Sequence, residues 1–244
     1  MSEKIFLTAT WEYLAMLNYE VDPAILSKHL PPQTEIDLFQ GKALVSLVGF
    51  LFNNTRVMGI KCPGLTDFEE VNLRYYVRFH DGRTWKRGVG FISEIVPSSL
   101  IAFVANQLYN EHYSAARMSH SIKKSDMLEV GYRWKPRNTP WNYMEISAGT
   151  DSREIEAGSQ EEFIFEHYFG FNRSRSGHTV EYAVEHPRWS VHPVTGYKLS
   201  CDIQNAYGPE FVPFLADKDP VSVFLARGSQ VLVRRPRIVK NNQR

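Results

Sequence analysis

One segment of this 244-residue chain, residues 68–79, carries the side chains best suited to acid–base chemistry and anion binding. The two-residue period of a β-strand would place five polar side chains on one face: Glu70, Asn72, Arg74, Tyr76 and Arg78. The alternating residues are apolar and suit a core. A carboxylate can transfer a proton, and a guanidinium can hold a carboxylate through two parallel hydrogen bonds. The pattern predicts either a polar cavity or a solvent-facing strand.

Other catalytic patterns are weaker in this sequence. Eight histidines include no pair at the i, i+4 spacing of a helical zinc site. No GxSxG nucleophile motif and no phosphate-cradling glycine loop occurs. Adjacent lysines can supply a nucleophilic amine if they are desolvated, but Lys123 and Lys124 lie among polar residues, which is typical of a solvated turn. The sequence predicts no metal and no cofactor.

A second polar cluster lies in residues 178–189, where aromatic and histidine side chains alternate with glutamates. Strand alternation turns Tyr182 and His186 inward together with valines, and Glu181 and Glu185 outward. The inward pair could hydrogen-bond buried carbonyl groups or could belong to a binding site. The pattern leaves both interpretations open.

The composition is that of an ordinary globular protein, with 43% hydrophobic and 23% charged residues. Twenty-eight basic and 27 acidic side chains create no overall field that would attract nucleic acid or an anionic membrane. No apolar run has the length of an export signal or a bilayer span. We therefore expect a cytoplasmic protein with reduced cysteines, no nucleic-acid or membrane partner, and homo-oligomerisation as an open possibility.

The order of apolar runs and turn residues predicts a mainly β protein with few short helices. Expected features are a long first strand over 5–21, a hairpin of 36–39 with 43–52, a buried helix over 100–109, and a final hairpin of 222–225 with 230–234. No stretch has the composition of a linker. We expect one domain over residues 1–235 and a basic tail over residues 236–244.

Several motifs together resemble a known family. They are Leu17-Asn18-Tyr19-Glu20-Val21-Asp22-Pro23, Leu30-Pro31-Pro32, Val45-Ser46-Leu47-Val48-Gly49-Phe50, Glu69-Glu70-Val71-Asn72-Leu73-Arg74, Val180-Glu181-Tyr182 and His186-Pro187-Arg188-Trp189. This set resembles the YqjF-like family of uncharacterised bacterial proteins. The resemblance implies the fold of the acetoacetate-decarboxylase-like superfamily, a single-domain antiparallel cone-shaped β-barrel with a small-molecule pocket. It implies no agreed biochemical function.

The resemblance also bears on the reaction. Acetoacetate decarboxylases carry a stretch of the form ExYGxPKK, in which the first lysine forms a Schiff base. The comparable stretch here is residues 107–114, where Tyr109 matches the tyrosine, and Tyr113 and Ser114 stand in place of the lysines. Glu70 resembles by position the acidic residue that faces the substrate in those enzymes. The resemblance therefore implies a pocket without the decarboxylase nucleophile.

The sequence thus predicts a cavity that binds a small organic molecule, an oxo-acid or related carboxylate, with Glu70 as the candidate acid or base. The candidate ligand-binding residues are Asn72, Arg74, Tyr109, Arg117, His120, Tyr182 and His186. In this hypothesis Arg74 and Arg117 anchor an anionic group. Two alternatives stay open, a non-catalytic sensing or binding protein with the same pocket and a structural or interaction protein without a ligand.

Overall fold

The computed structural model describes residues 4–109 and 113–239, without the side chains of residues 107–109. The described part is mainly β. Its strands are β1 Ile5–Val21, β2 Thr34–Ile36, β3 Ala43–Val57, β4 Phe68–His80, β5 Trp85–Val96, β6 Tyr113–Ala115, β7 Arg117–Lys124, β8 Met127–Lys135, β9 Asn142–Gly149, β10 Arg153–Glu154, β11 Phe169–Arg173, β12 Thr179–Glu185, β13 Ser190–His192, β14 Val194–Ser200, β15 Ser222–Arg234 and β16 Arg237–Ile238. Its helices are α1 Pro23–Leu26, α2 Ser99–Tyr109, α3 Gln160–Phe165, α4 Ile203–Tyr207 and α5 Val212–Leu215, with a 3-10 turn at Pro209–Phe211.

Twelve strands form one large sheet, and seven of them follow one another in a continuous circuit of pairings. The circuit runs β15, β1, β3, β4, β5, β11 and β12, and β12 pairs again with β15 through Val184 opposite Val233. Most neighbours are antiparallel, as expected. However, β5 pairs in parallel with both β11 and β6, so a purely antiparallel sheet is wrong for this chain.

The remaining strands, β14, β9, β8 and β7 in that order, form a second, antiparallel sheet. Its inward side chains, among them Tyr132 and Trp134, pack against Leu17, Leu47 and Leu73 of the large sheet. All five are fully or almost fully buried. This layer explains why β3 and β4 carry apolar residues on the side opposite their polar or aromatic face.

The other side of the large sheet has its own core. Met16, Val48, Phe50 and Tyr76 lie there and pack with Phe163 of α3. Ser159 caps helix α3, and its hydroxyl accepts a hydrogen bond from the Glu162 amide at 3.1 Å, in agreement with the expected cap. The strand alternation of β4 therefore separates two apolar layers, and the candidate site lies in the layer that contains Tyr76.

Both predicted hairpins are wrong. The segment before β3 makes one isolated bridge, Phe39 to Lys42, which lies just ahead of β3, and β2 pairs with β4 instead. At the end of the chain, β15 continues without reversal through Gly228. This glycine has φ of 84° and lies so close to the Trp11 carbonyl that a Cβ atom would collide with it. Gly228 bends the strand at a close approach to β1, whereas the sequence pattern indicated a turn.

Helix α2 differs from the buried helix that its sequence predicts. Leu100 and Phe103 are 53% and 61% exposed, whereas Ala102 is buried. The apolar residues of this helix serve two surroundings, because Leu100, Ile101 and Val104 line a cavity whereas Phe103 lies outside its wall and is exposed. Helix α2 is therefore apolar on all sides because it covers a cavity, and it is not enclosed by protein on most sides.

Smaller differences occur at the ends of two elements. Asp22 caps α1 as expected, accepting from the Ala24 amide at 2.8 Å, but the helix ends at Leu26 and not at residue 30. Part of the predicted basic tail lies in the large sheet, where Arg237 pairs with Glu181 of β12, and residues 240–244 lie outside the described residues. Within the described chain, no helix is both long and apolar enough to cross a membrane.

Candidate functional site

A cavity of about 250 Å³ lies on the inner side of β4, beneath α2. Most of its wall is apolar and comes from strands that are distant in sequence. Eleven phenylalanine, tyrosine and tryptophan side chains contribute to this wall: Phe6, Trp11, Phe50, Phe52, Phe68, Phe91, Tyr113, Phe165, Phe169, Tyr182 and Trp189. Because such rings bury large apolar areas, the cavity is suited to a ligand with an apolar or aromatic body.

The polar part of the wall comes chiefly from β4. Glu70, Asn72 and Arg74 all line the cavity, as the two-residue period places them on one face. The intervening Val71 and Leu73 are fully buried in the opposite core. The polar face of β4 therefore borders a cavity at these three residues, whereas Tyr76 is buried in the core and Arg78 pairs with Glu35 at the surface.

Hydrogen bonds from Asn72 and Tyr113 help to hold Glu70 in position. The Asn72 amide donates to Oε1 at 2.9 Å, and the Tyr113 hydroxyl donates to Oε2 at 3.0 Å. Glu94 also lines the cavity and lies opposite Asn72 in the pairing of β4 with β5. Both glutamates are almost fully buried, with exposures of 2% and 1%. The site therefore contains two buried carboxyl groups within a small region of the wall.

Arg74 supplies a cation farther along the same strand. Its guanidinium donates to the Ile164 carbonyl of α3 at 3.1 Å and lies over the Tyr76 ring, 5.5 Å from the centroid. No carboxylate of residues 4–109 or 113–239 forms an ion pair with it, and Glu70 is bonded to other groups. The half-buried guanidinium is therefore available to an anion in the cavity.

His186 lines the cavity from the segment after β12. Its ring stacks on Trp189 with centroids 4.0 Å apart and planes 17° from parallel. The Nδ1 atom lies 2.9 Å from the Pro187 carbonyl, to which it can only donate. Burial lowers the pKa of His186 below its usual value, and the nearby Arg74 charge acts in the same direction. The imidazole is therefore neutral at neutral pH, with its proton on Nδ1.

A buried histidine–aspartate contact supports the wall next to Arg74. His167 Nε2 lies 3.1 Å from Asp37 Oδ2, and Arg87 donates to the same oxygen at 2.6 Å. Burial lowers the pKa of His167 to about 4, so the ring is neutral at neutral pH. Burial alone would raise the pKa of Asp37, but the hydrogen bonds from His167 and Arg87 outweigh it and lower the value. The ring also packs on Tyr76, with centroids 4.9 Å apart.

The other predicted site residues are divided between the cavity and the surface. Tyr182 lines the cavity, and its ring lies across Gly170 of β11. Arg117 and His120 are exposed on β7 of the second sheet, and His120 contacts Glu69 at 2.7 Å. The structure does not bring these two residues to the cavity, because β7 belongs to the layer on the opposite face of β4. The Tyr109 side chain lies outside the described residues.

Sequence reasoning missed Glu94 and His167 as wall residues. Glu94 is an isolated acid in the apolar run of β5, and such an acid in a strand of that kind is a usable signal for a buried site. His167 follows α3 and reaches the wall only through long-range packing on Tyr76, so no local pattern indicates it.

As for metals, the described residues contain no group of three or more His, Cys, Asp or Glu side chains that could hold an ion.

Solved structures identify the class of fold. Acetoacetate decarboxylase from Legionella pneumophila superposes with a TM-score of 0.63 over 98% of this chain and 89% of its own, at 15% identity. The enduracididine biosynthesis enzyme MppR, complexed with pyruvate, gives 0.66 over 99% and 92% at 12% identity. An acetoacetate decarboxylase-like enzyme from Sphingomonas wittichii RW1 gives 0.64 over 96% and 93% at 11% identity. At these identities the similarity establishes an acetoacetate-decarboxylase-like fold.

The sequence establishes the family. Residues 8–230 match the model of DUF2071, described as an uncharacterized conserved protein (COG2071), and the chain belongs to this family. The uncharacterized protein YqjF of Bacillus subtilis (strain 168) is 30% identical over 121 residues. That match spans 49% of this chain and 48% of YqjF, about half of each. The resemblance stated from the sequence motifs is confirmed.

Proposed function

We propose that this protein binds a small organic anion, an oxo-acid or related carboxylate, in the cavity beneath α2. The observation that carries the proposal is Arg74, a half-buried cation in the cavity wall for which the described residues provide no ion-pair partner. A guanidinium removed from water without a counter-charge is costly, and a bound carboxylate would offset that cost. Bidentate hydrogen bonding would also orient the ligand.

The rest of the wall supports a ligand with an apolar body. The aromatic side chains from β1, β3, β4 and β5 surround the space next to Arg74. One fold relative, the enzyme MppR, has been solved in complex with pyruvate, which is itself an oxo-acid. From this relative we take only the proposal that a carboxylate binds in the corresponding interior of this chain. We also propose that the circuit of seven strands is the cone-shaped barrel that encloses the cavity.

We further propose that no Schiff base forms in this cavity. The residues that line it within the described chain include no lysine. Tyr113, which stands at the expected position of the decarboxylase nucleophile, donates a hydrogen bond to Glu70. Lys123 and Lys124 lie exposed at the end of β7. Any reaction would then use Glu70 as the acid or base on a non-covalently bound substrate.

A binding or sensing protein without turnover is the second candidate, and the same Arg74 site supports it. Turnover of a bound acid distinguishes the two candidates. A protein without any ligand is disfavoured because Glu70 and Asn72 are 2% exposed and line a cavity, where they have no solvent or subunit to meet. We retain the cytoplasm as the proposed location.

Calorimetric titration at neutral pH tests the proposal with matched acids and amides. Phenylacetate and phenylacetamide share one aromatic body and differ in charge. We expect phenylacetate to bind at least about tenfold more tightly, because a charge-assisted hydrogen bond contributes roughly 1.5–3 kcal/mol. Equal affinities, or no binding of any aromatic or aliphatic acid in the series, would contradict an anion site at Arg74.

A further inference from the structure

His186 lines the cavity, and its surroundings determine which of its two ring nitrogens donates a hydrogen bond and which accepts one. The Pro187 carbonyl can only accept, so the proton of the neutral ring lies on Nδ1, 2.9 Å from that oxygen. The Nε2 atom then carries a lone pair and no proton. No hydrogen-bond partner of Nε2 occurs among residues 4–109 and 113–239. The ring therefore offers one unused acceptor.

The orientation of the ring is well constrained. One face stacks on Trp189, with centroids 4.0 Å apart, and the Tyr168 ring lies 4.8 Å from the imidazole centroid. Trp189 is itself held by a hydrogen bond from its indole nitrogen to the Ser229 hydroxyl at 2.8 Å. A ring fixed on two sides loses little conformational entropy when a ligand binds to its remaining nitrogen.

Arg74 and His186 line the same cavity but present opposite hydrogen-bonding characters. Arg74 offers only donors, which select an anion. His186 Nε2 offers only an acceptor, which selects a hydroxyl or an N–H group. An ammonium group would have to be desolvated in a mostly apolar cavity, which costs more than burying a neutral donor. A hydroxyl is the smallest neutral donor that matches this acceptor.

From this pairing we infer that the cavity selects hydroxy acids with an apolar body over the corresponding oxo and deoxy acids, with the carboxylate on Arg74 and the hydroxyl donating to His186 Nε2. The inference rests on the proposed carboxylate site and narrows its ligand class from oxo-acids and related carboxylates to hydroxy acids. An oxo group is an acceptor and would face the Nε2 lone pair, which is repulsive. A deoxy acid would leave the acceptor without a partner in an apolar cavity.

Titrations of the wild-type protein with two matched series test this inference. The first is phenylacetate, mandelate and phenylglyoxylate, which carry hydrogen, hydroxyl and oxo groups on one skeleton. The second is 3-phenylpropanoate and 3-hydroxy-3-phenylpropanoate, which moves the hydroxyl by one carbon. We expect one hydroxy acid to bind about tenfold more tightly than its deoxy parent, and mandelate to bind more tightly than phenylglyoxylate.

Two variants assign the preference to the imidazole. His186→Phe keeps a flat ring on Trp189 and removes the acceptor, so the hydroxyl preference should disappear while the parent acids still bind. His178→Phe is the matched control, because His178 is exposed on the turn before β12 and lies outside the cavity wall. Its hydroxyl preference should equal that of the wild type.

Nitrogen-15 spectra of the imidazole rings give a readout that does not depend on affinity. We expect His186 Nε2 to be unprotonated at neutral pH and to shift with the preferred hydroxy acid but not with its parent. A protonated Nε2, or a hydroxyl preference that survives His186→Phe, would overturn the inference. If all acids bind equally and Arg74→Met weakens them together, the hydroxyl selection fails and the carboxylate site stands. If no acid binds, both fail.

Discussion

The Tyr113 hydroxyl donates a hydrogen bond to Glu70 Oε2 across 3.0 Å, linking β6 to the polar face of β4. Strand β6 reaches this position through parallel pairing with β5, in which Tyr113 lies opposite Glu94. By the resemblance, Tyr113 stands where a decarboxylase carries its lysine, and here it is a phenol bonded to a buried carboxyl group. Its chemistry is hydrogen bonding and not imine formation.

This contact leads to a prediction about acetoacetate. Borohydride reduction in the presence of acetoacetate should leave the mass of the protein unchanged, because the described wall offers no lysine amine to the substrate. Intact-protein mass spectrometry measures the result, with an acetoacetate decarboxylase as the positive control. A reduced adduct on any lysine would show that imine chemistry occurs here.

A second prediction concerns Gly170, which lies opposite Tyr182 in the pairing of β11 with β12. A Cβ atom at residue 170 would collide with the Tyr182 ring, so the buried ring would have to shift to make room for it. We expect Gly170→Ala to lower the free energy of unfolding by about 1–3 kcal/mol, as overpacking usually does. Chemical denaturation provides the measurement.

Gly196→Ala is the matched control for that change. Gly196 lies in β14, and no atom lies within 4 Å of the position that a Cβ would take there, so the methyl group meets open space. We expect its unfolding free energy to stay within about 0.5 kcal/mol of the parent. Equal effects of the two substitutions would show that the Tyr182 ring does not occupy the position described.

Acid should destabilise the protein through His167. Its folded pKa of about 4 lies below the unfolded value of about 6.5, so the unfolded chain binds more protons between these limits. The stability that His167 contributes is complete above the unfolded pKa and is lost as the pH falls towards the folded pKa. Between pH 7 and pH 5 we expect a loss of roughly 2 kcal/mol from this group.

Denaturation of His167→Phe across the same pH range isolates that contribution. The phenyl ring retains the contacts with Tyr76 and Phe163 and cannot take up a proton. Asp37 keeps its bond to Arg87. The variant should lose clearly less stability than the wild type between pH 7 and pH 5. Parallel curves would mean that His167 titrates normally in the folded protein.

We also expect the chain to unfold in a single transition. The two apolar layers lie on opposite sides of the same strands, so the large sheet cannot lose one layer and keep the other intact. Coincident transitions by near- and far-ultraviolet circular dichroism would support this expectation. Two stable fragments after limited proteolysis, each with its own melting transition, would contradict it.

The sequence predicts the local features of this fold better than its long-range ones. The alternation in β4 is read correctly because a strand has a period of two and both of its faces carry strong patterns. The Asp22 and Ser159 caps are likewise local signals. Gly228 is misread because a glycine with positive φ is needed both in a turn and at a close approach of two strands. Local sequence does not distinguish these cases.

In the candidate site, too, the local features are predicted from the sequence better than the long-range ones. Glu70, Asn72 and Arg74 are predicted from one strand, whereas His167 joins them only because α3 packs on Tyr76. Arg117 and His120 have suitable side chains, but β7 follows a crossing into the second sheet. Which layer a strand enters depends on its pairing partners, and that information is spread over the whole chain.

Arg74 offers the most direct test of the carboxylate site. Arg74→Met keeps most of the alkyl stem and removes the charge, and Arg78→Met is the control because Arg78 pairs with Glu35 at the surface. Since Arg74 has no ion-pair partner among the described residues, its removal leaves no buried carboxylate uncompensated, and the variant should unfold within about 1 kcal/mol of the parent or be more stable.

The deciding measurement is calorimetric titration of Arg74→Met and Arg78→Met with the best-bound acid of the wild-type protein. We predict that Arg74→Met remains folded and loses at least about tenfold in affinity, because the charge-assisted hydrogen bonds to the carboxylate are gone. Arg78→Met should bind as the wild type does. Unchanged affinity in a folded Arg74→Met would contradict the assignment of the cavity as a carboxylate site.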